Sequence, residues 1–207
     1  MPDITLFIIA SLLLTIAPGP DIIYVLTRGV TQGRQAGFAA ACGFATGVVF
    51  HTALAALGIA TLIRSTDWAF SLVRYAGAAY LIYIGLRALI AARTGGFTLP
   101  SDNARPALWT IYKQSVIGNA LNPKVTLFFL SFLPQFINTA AGHIEMQMLL
   151  LGSLFMIQTV ILFGAVAVFS GWVGNYLRQQ PIVAKRLDFF AGLVFIGLGI
   201  RVAWPTT

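Results

Sequence analysis

Long apolar runs dominate the chain and recur at a spacing suited to membrane-crossing helices. They cover residues 4–27, 38–63, 70–91, 114–137, 146–170 and 187–204. Each is long enough to cross about 30 Å of hydrocarbon as an α-helix. None alternates apolar and polar residues over segments of about ten, as the strands of a membrane barrel do. Polar and turn-forming residues separate the runs at Gly33-Arg34, at Arg64 to Asp67, and over 93–113, 138–145 and 171–186; the 93–113 segment carries Gly95-Gly96, Pro100 and Pro106. The pattern predicts an all-α, polytopic membrane protein with six transmembrane helices, built as a single membrane domain over 1–207.

Composition supports the same class. The 207 residues are 58% hydrophobic and 9% charged, against about 25% charged in a soluble domain. Too little polar surface remains to coat a water-soluble globule, so soluble domains, disordered chains, coiled coils and nucleic-acid binders are set aside. The net charge of +7 lies mostly in the connections, where it reads as orientation in the membrane. Arg28, Arg34, Arg87, Arg93, Arg105, Lys113, Arg178, Lys185 and Arg186 fall at the connections after spans one, three and five, whereas Arg64, Arg74 and Arg201 lie on the other side. This places the former connections in the cytoplasm and both termini in the periplasm. The N-terminal run has no Lys or Arg before Arg28 and no small-x-small cleavage site after it, so it is expected to stay in the mature protein. Cys42 is the only cysteine, and His51 and His143 lie far apart. No intramolecular disulfide, metal site or cofactor is expected.

The two halves resemble each other weakly. Tyr80 to Leu86 (YLIYIGL) matches Gly192 to Leu198 (GLVFIGL), and Pro20-Asp21 in span one matches Pro123-Lys124 in span four. Three spans is an odd number, so a second set of three would run through the membrane in the opposite sense. The expectation is two inverted repeats, about 1–93 and 114–207, joined by a cytoplasmic connection over about 94–113.

Two stretches carry candidate chemistry. In Pro18-Gly19-Pro20-Asp21, Pro18 frees the carbonyl of Leu14 and Pro20 that of Ile16. Gly19 adds backbone freedom between them. Freed carbonyls cannot face lipid, so the break must be buried in protein or line a wet cavity. Asp21 then sits in the first turn of a new half-helix near mid-membrane, where an ionised carboxylate costs about 2.5–3.5 kcal/mol on insertion scales. In Asn119-Ala-Leu-Asn122-Pro123-Lys124, Pro123 frees the Asn119 carbonyl and Asn122 is suited to cap the helix that follows. Lys124 lies where the helix dipole disfavours a cation. Either an anionic partner, Asp21 or a ligand carboxylate, or snorkelling to the cytoplasmic surface accounts for it. His51 and Gln158 are mid-span; each reads either as a packed, hydrogen-bonded residue or as a group lining a cavity. Trp68, Trp109, Trp172 and Trp204 fall near span ends, as in an interfacial belt.

With Ala17-Pro18-Gly19-Pro20-Asp21, Gly85-Leu86-Arg87-Ala88, Asn122-Pro123-Lys124 and Phe132-Leu133-Pro134-Gln135-Phe136 in order, essentially the whole chain resembles the LysE/RhtB family of amino-acid exporters. The resemblance implies an inner-membrane secondary exporter of amino acids or close derivatives, driven by an ion gradient. It does not choose among threonine, homoserine, homoserine lactone, leucine or a basic amino acid. The residues themselves point to the same chemistry. A zwitterion needs one cation-binding and one anion-binding group, and Asp21 and Lys124 supply one of each beside a helix break. Proton antiport follows if substrate amine and proton compete for Asp21. Pro18, Gly19, Pro20, Asn119, Asn122, Pro123 and His51 complete the expected substrate site. Partners are then the amino acid, a proton or other coupling ion and the lipid bilayer; a homo-oligomer is left open. A metal-ion or other small-solute exporter of the same shape, or a membrane-embedded enzyme, are the alternatives. Against the enzyme, the chain carries no His-Glu-x-x-His or Gly-x-Ser-x-Gly sequence.

Overall fold

A computed structural model describes residues 3–59, 67–94 and 105–204, and all regular structure among them is helical. Proline and glycine set many of the boundaries. Helix α1 (Ile4–Ile16) is capped by Asp3, whose Oδ1 accepts the Leu6 amide hydrogen at 3.1 Å, and it ends before Pro18. Helix α2 (Pro20–Gln32) opens with Pro20 in its first turn and closes at Gly33, whose φ of 92° favours glycine. Helix α3 (Arg34–Leu54) relaxes into a π turn over Ala55–Ile59. Helix α4 (Asp67–Thr94) is a single long rod. Helices α5 (Leu108–Ala120) and α6 (Pro123–Leu127) meet at the second break, and α6 runs on through a π turn and a 3-10 turn to Phe136. Helices α7 (Ile144–Val168), α8 (Ser170–Gln179) and α9 (Pro181–Ala203) complete the chain.

Two expectations about boundaries change. The 171–186 segment, read as a connection, is helical over most of its length: α8 fills its first part and α9 begins at Pro181. Apolarity marks where a helix can lie in lipid, but it does not limit where a helix can form. Proline at the first helical position also suits a start there. The fourth run likewise begins at Leu108, ahead of its apolar portion. Residues 95–104 of the 93–113 connection and 64–66 of the Arg64 to Asp67 connection lie outside the described residues.

Among the described residues three helices, Arg34–Gly58, Arg74–Arg93 and Ile144–Val168, are long and apolar enough to cross a membrane alone. Two bent pairs raise the number to five if each is one span: α1 with α2, bent by 56°, and α5 with the segment to Phe136, bent by 45°. Helix α9, which carries Lys185, Arg186, Asp188 and Arg201, is not among them. Large apolar side chains such as Leu57, Leu121, Ile161 and Phe190 are exposed, as expected of a surface solvated by lipid rather than water. Inside, Phe7, Phe128, Phe129, Phe132, Phe136 and Phe155 pack edge-on or tilted against one another. A second cluster gathers Val25, Ala36, Ala40, Phe44 and Phe163.

The packing partners reveal the sense of each helix. Along α3 and α5 the contacts rise together: Gly43 lies against Tyr112 and Ser115, and Gly47 against Val116 and Asn119, so these helices are parallel. Along α3 and α7 they run oppositely, Gly37 against Ala167 and Thr52 against Gly152. Helices α4 and α9 are also antiparallel, with Ala78 and Ile82 facing Gly199 while Gly85 faces Gly192. Two hydrogen bonds tie the ends. The Asp3 amide donates to the Phe136 carbonyl at 3.0 Å, and Gln32 Nε2 donates to the Pro106 carbonyl at 3.2 Å. The start of α1 therefore shares a face with residue 136, and the end of α2 shares a face with the start of α5.

Candidate functional site at the two helix breaks

The fold brings the two breaks together. Gly19 caps α2 in an extended conformation, so Asp21 leaves the first turn of α2 pointing at the α5–α6 junction. Its Oδ2 accepts from Asn119 Nδ2 at 3.1 Å and its Oδ1 from Asn122 Nδ2 at 2.7 Å. Asn122 uses its other atom locally: Oδ1 accepts the Lys124 amide hydrogen at 3.0 Å and caps α6. Lys124 does not donate to Asp21. Its Nζ donates to the Ala17 carbonyl at 3.1 Å and lies 5.0 Å from the centre of the Phe195 ring. The Asp21 and Lys124 charges still attract each other across the space between them. Each therefore has neutral hydrogen-bond partners, and the two opposite charges border one shared space.

That space is a cavity of about 20 Å³ lined by Leu14, Thr15, Ala17, Asp21, Ile22, Asn119, Lys124, Val125, Phe155, Thr159 and Phe163. Of the residues singled out in the sequence, Asp21, Asn119 and Lys124 face it. Asn122 reaches it through Asp21. Pro18 lines a separate apolar recess, and Pro20 and Pro123 are exposed; these prolines shape the backbone rather than the cavity wall. Gly19 sits beside Lys124, where a methyl group would lie 3.1 Å from Nζ. His51 is fully buried and does not line the cavity. The Asn119 carbonyl can only accept, so His51 Nε2 carries the hydrogen in their 2.8 Å contact. The carbonyl freed by Pro123 also accepts the Asn122 amide hydrogen at 2.8 Å, so it is satisfied both locally and from α3.

Several wall residues carry no mark in the sequence. Thr15 and Thr159 are buried threonines in apolar helices, and their hydroxyls bond to carbonyls one turn back. Gln158 joins α7 to α1, accepting from Ser11 Oγ at 3.0 Å and approaching Thr15 Oγ1 at 3.4 Å through Nε2. On the other side of Asp21, Tyr24 Oη donates to Gln114 Oε1 at 2.8 Å, joining α2 to α5. Besides these threonines and Asn119, the wall sets the apolar Leu14, Ile22, Val125, Phe155 and Phe163 around one charge of each sign. Among the described residues, no three His, Cys, Asp or Glu side chains group as metal ligands.

Comparison with known proteins gives a consistent result. Residues 12–205 match the family model described as LysE type translocator. Among similar proteins are the leucine efflux proteins of Salmonella choleraesuis and Salmonella typhimurium, each 32% identical over 197 residues, covering 95% of this chain and 92% of the relative. The leucine efflux protein of an Enterobacter species is 31% identical over 198 residues, 95% of this chain and 93% of its own. No solved structure matches.

Proposed function

The chain belongs to the LysE type translocator family, and we propose that the amino acid it exports is neutral and apolar, leucine or a close analogue, in exchange for protons. It is a multi-pass membrane exporter of amino acids and not an enzyme. The observation that carries the finer reading is the facing of Asp21 and Lys124 across one small cavity whose other lining residues carry no charge. Asp21 takes the substrate ammonium and Lys124 its carboxylate. The other lining residues carry no charge and offer nothing to a charged side chain, and the leucine efflux proteins among the relatives support an apolar one. Because Asp21 is bonded to neutral amides rather than locked to Lys124, its carboxylate is free to exchange an ammonium for a proton.

The architecture fits this function as six spans in two inverted sets. Spans two and five (α3, α7) are antiparallel, as are spans three and six (α4, α9), and the two broken helices meet between them. This arrangement supports the reading of a site at the interface of inverted repeats. We place the termini in the periplasm on the Lys and Arg distribution.

The test is leucine transport in proteoliposomes with and without an imposed pH gradient. Asp21→Asn keeps the shape and removes the proton; it abolishes uphill export driven by the pH gradient and leaves slow downhill exchange. Lys124→Gln raises the half-saturating leucine concentration, and Lys124→Arg does not fully restore it, since a guanidinium fork does not replace a point charge. Concentration of leucine by Asp21→Asn at near wild-type rate on a proton gradient alone would overturn proton coupling at Asp21.

A further inference from the structure

The cavity between Asp21 and Lys124, at about 20 Å³, has room for roughly one water molecule and none for an amino-acid side chain. A second, apolar recess begins on the other side of a single residue. It measures about 150 Å³, and its eight lining residues, Ile16, Pro18, Ile22, Leu26, Val166 and Leu177 among them, are all apolar. Ile22 belongs to both walls: it borders the polar cavity beside Asp21 and the recess beside Pro18 and Leu26. The sequence explains this division. Residues 22 and 26 follow each other at helical spacing and share one face of α2, while Asp21, one residue earlier, turns toward the asparagines.

The size of the recess suits a definite guest. A dry apolar cavity of about 150 Å³ accepts a benzene-sized molecule, and the branched four-carbon side chain of leucine is smaller. Through Ile22 the recess adjoins the cavity that holds Asp21 and Lys124, which suit the charged ends of an amino acid.

We infer that this recess is the side-chain subsite of the exporter: the charged ends of the amino acid lie at Asp21 and Lys124, and its apolar side chain passes Ile22 and seats against Val166 of α7. The inference rests on the reading of Asp21 and Lys124 as the amino-acid site and adds the residues that select side-chain size. Ile22 is the threshold between the two compartments, so the side chain at position 22 has to swing aside when cargo enters. Val166 faces the recess but not the polar cavity. Changing it alters the fit of the side chain and leaves the charged groups alone.

Counterflow of labelled alanine, leucine and phenylalanine, each measured separately in proteoliposomes, tests this with Val166→Phe, Val166→Ala and Ile22→Ala. Val166→Phe fills the recess and lowers the leucine-to-alanine ratio by about tenfold, the discrimination that a few methylenes command in a hydrophobic pocket. Val166→Ala and Ile22→Ala enlarge the space and raise the phenylalanine-to-leucine ratio. If Val166→Phe inserts poorly, the ratio in Val166→Ala decides. Unchanged ratios, or an equal fall for all three amino acids as expected of a recess that holds a lipid acyl chain, overturn the subsite. Lys124→Gln separates the two claims. Wild-type counterflow of all three amino acids in that variant overturns the charged site, whereas weakened counterflow in it with unshifted Val166 ratios overturns the subsite alone.

Discussion

Asn122 accepts the Lys124 amide hydrogen with Oδ1 and donates to Asp21 with Nδ2, so one short side chain both caps α6 and orients the carboxylate. The two roles are separable. Asn122→Asp keeps an acceptor for the cap but sets a second acid against Asp21; we expect near wild-type thermal stability in detergent with export reduced by more than about tenfold, the effect of misplacing a binding group. Asn122→Ala loses both roles, and the missing cap costs about 1 kcal/mol of stability. Gly19 makes a different case. Its φ of −165° is ordinary extended backbone, so Gly19→Ala is not strained; the new methyl crowds Lys124 Nζ. Its expected signature is weaker leucine binding with an unchanged melting temperature. At this scale the sequence was partly legible. Asp21 and Lys124 stand out because charge is rare in apolar helices, and Pro18, Pro20 and Pro123 because proline cannot donate. The Ala17 carbonyl that receives Lys124, the threonines at 15 and 159 and the phenylalanines at 155 and 163 gave no signal. An apolar run does not reveal which of its faces meets which neighbour.

Helices α4 and α9 meet where neither has a side chain. A methyl group on Gly85 would lie 2.8 Å from the Gly192 carbonyl oxygen, and one on Gly192 would lie 2.8 Å from the Gly85 carbonyl oxygen. Backbone cannot yield as a side-chain tip can. Gly85→Ala is therefore expected to destabilise the folded protein by about 1–3 kcal/mol, the usual range for overpacking, read as a lower melting temperature in detergent. Gln158→Leu, which removes the bridge from α7 to Ser11 and Thr15, is expected to cost less, about 0.6 kcal/mol per lost interhelical bond. The same measurement ranks the two. The sequence likeness between the halves aligns Gly85 with Gly197, and such a match says nothing of contact: Gly197 has open space around it and Gly85 packs on Gly192. The register of two helices is decided by which small residues let their backbones approach. The helix α8 was hidden for a related reason: its stacked Trp172 and Tyr176 lie on an exposed face, and no apolar run announces it.

For the whole molecule, two hydrogen bonds bear on orientation independently of charge. Asp3 reaches Phe136 at one face and Gln32 reaches Pro106 at the other. An alkaline phosphatase fused after residue 138 should therefore share the activity state of one fused at the N-terminus, and one fused after residue 106 should show the opposite state. The positive-charge distribution sets the sign: active at the first two positions, inactive at the third. Opposite states at the N-terminus and residue 138 would refute the arrangement of the broken helices. The small central cavity has an electrical meaning as well. A space for about one water, bounded by Phe155 and Phe163, cannot hold a continuous water wire. Each elementary charge that leaked through would dissipate about 2.3 kcal/mol per 100 mV of membrane potential. In this closed form the protein is an insulator, and the cell can keep many copies in its membrane without short-circuiting the gradient they use.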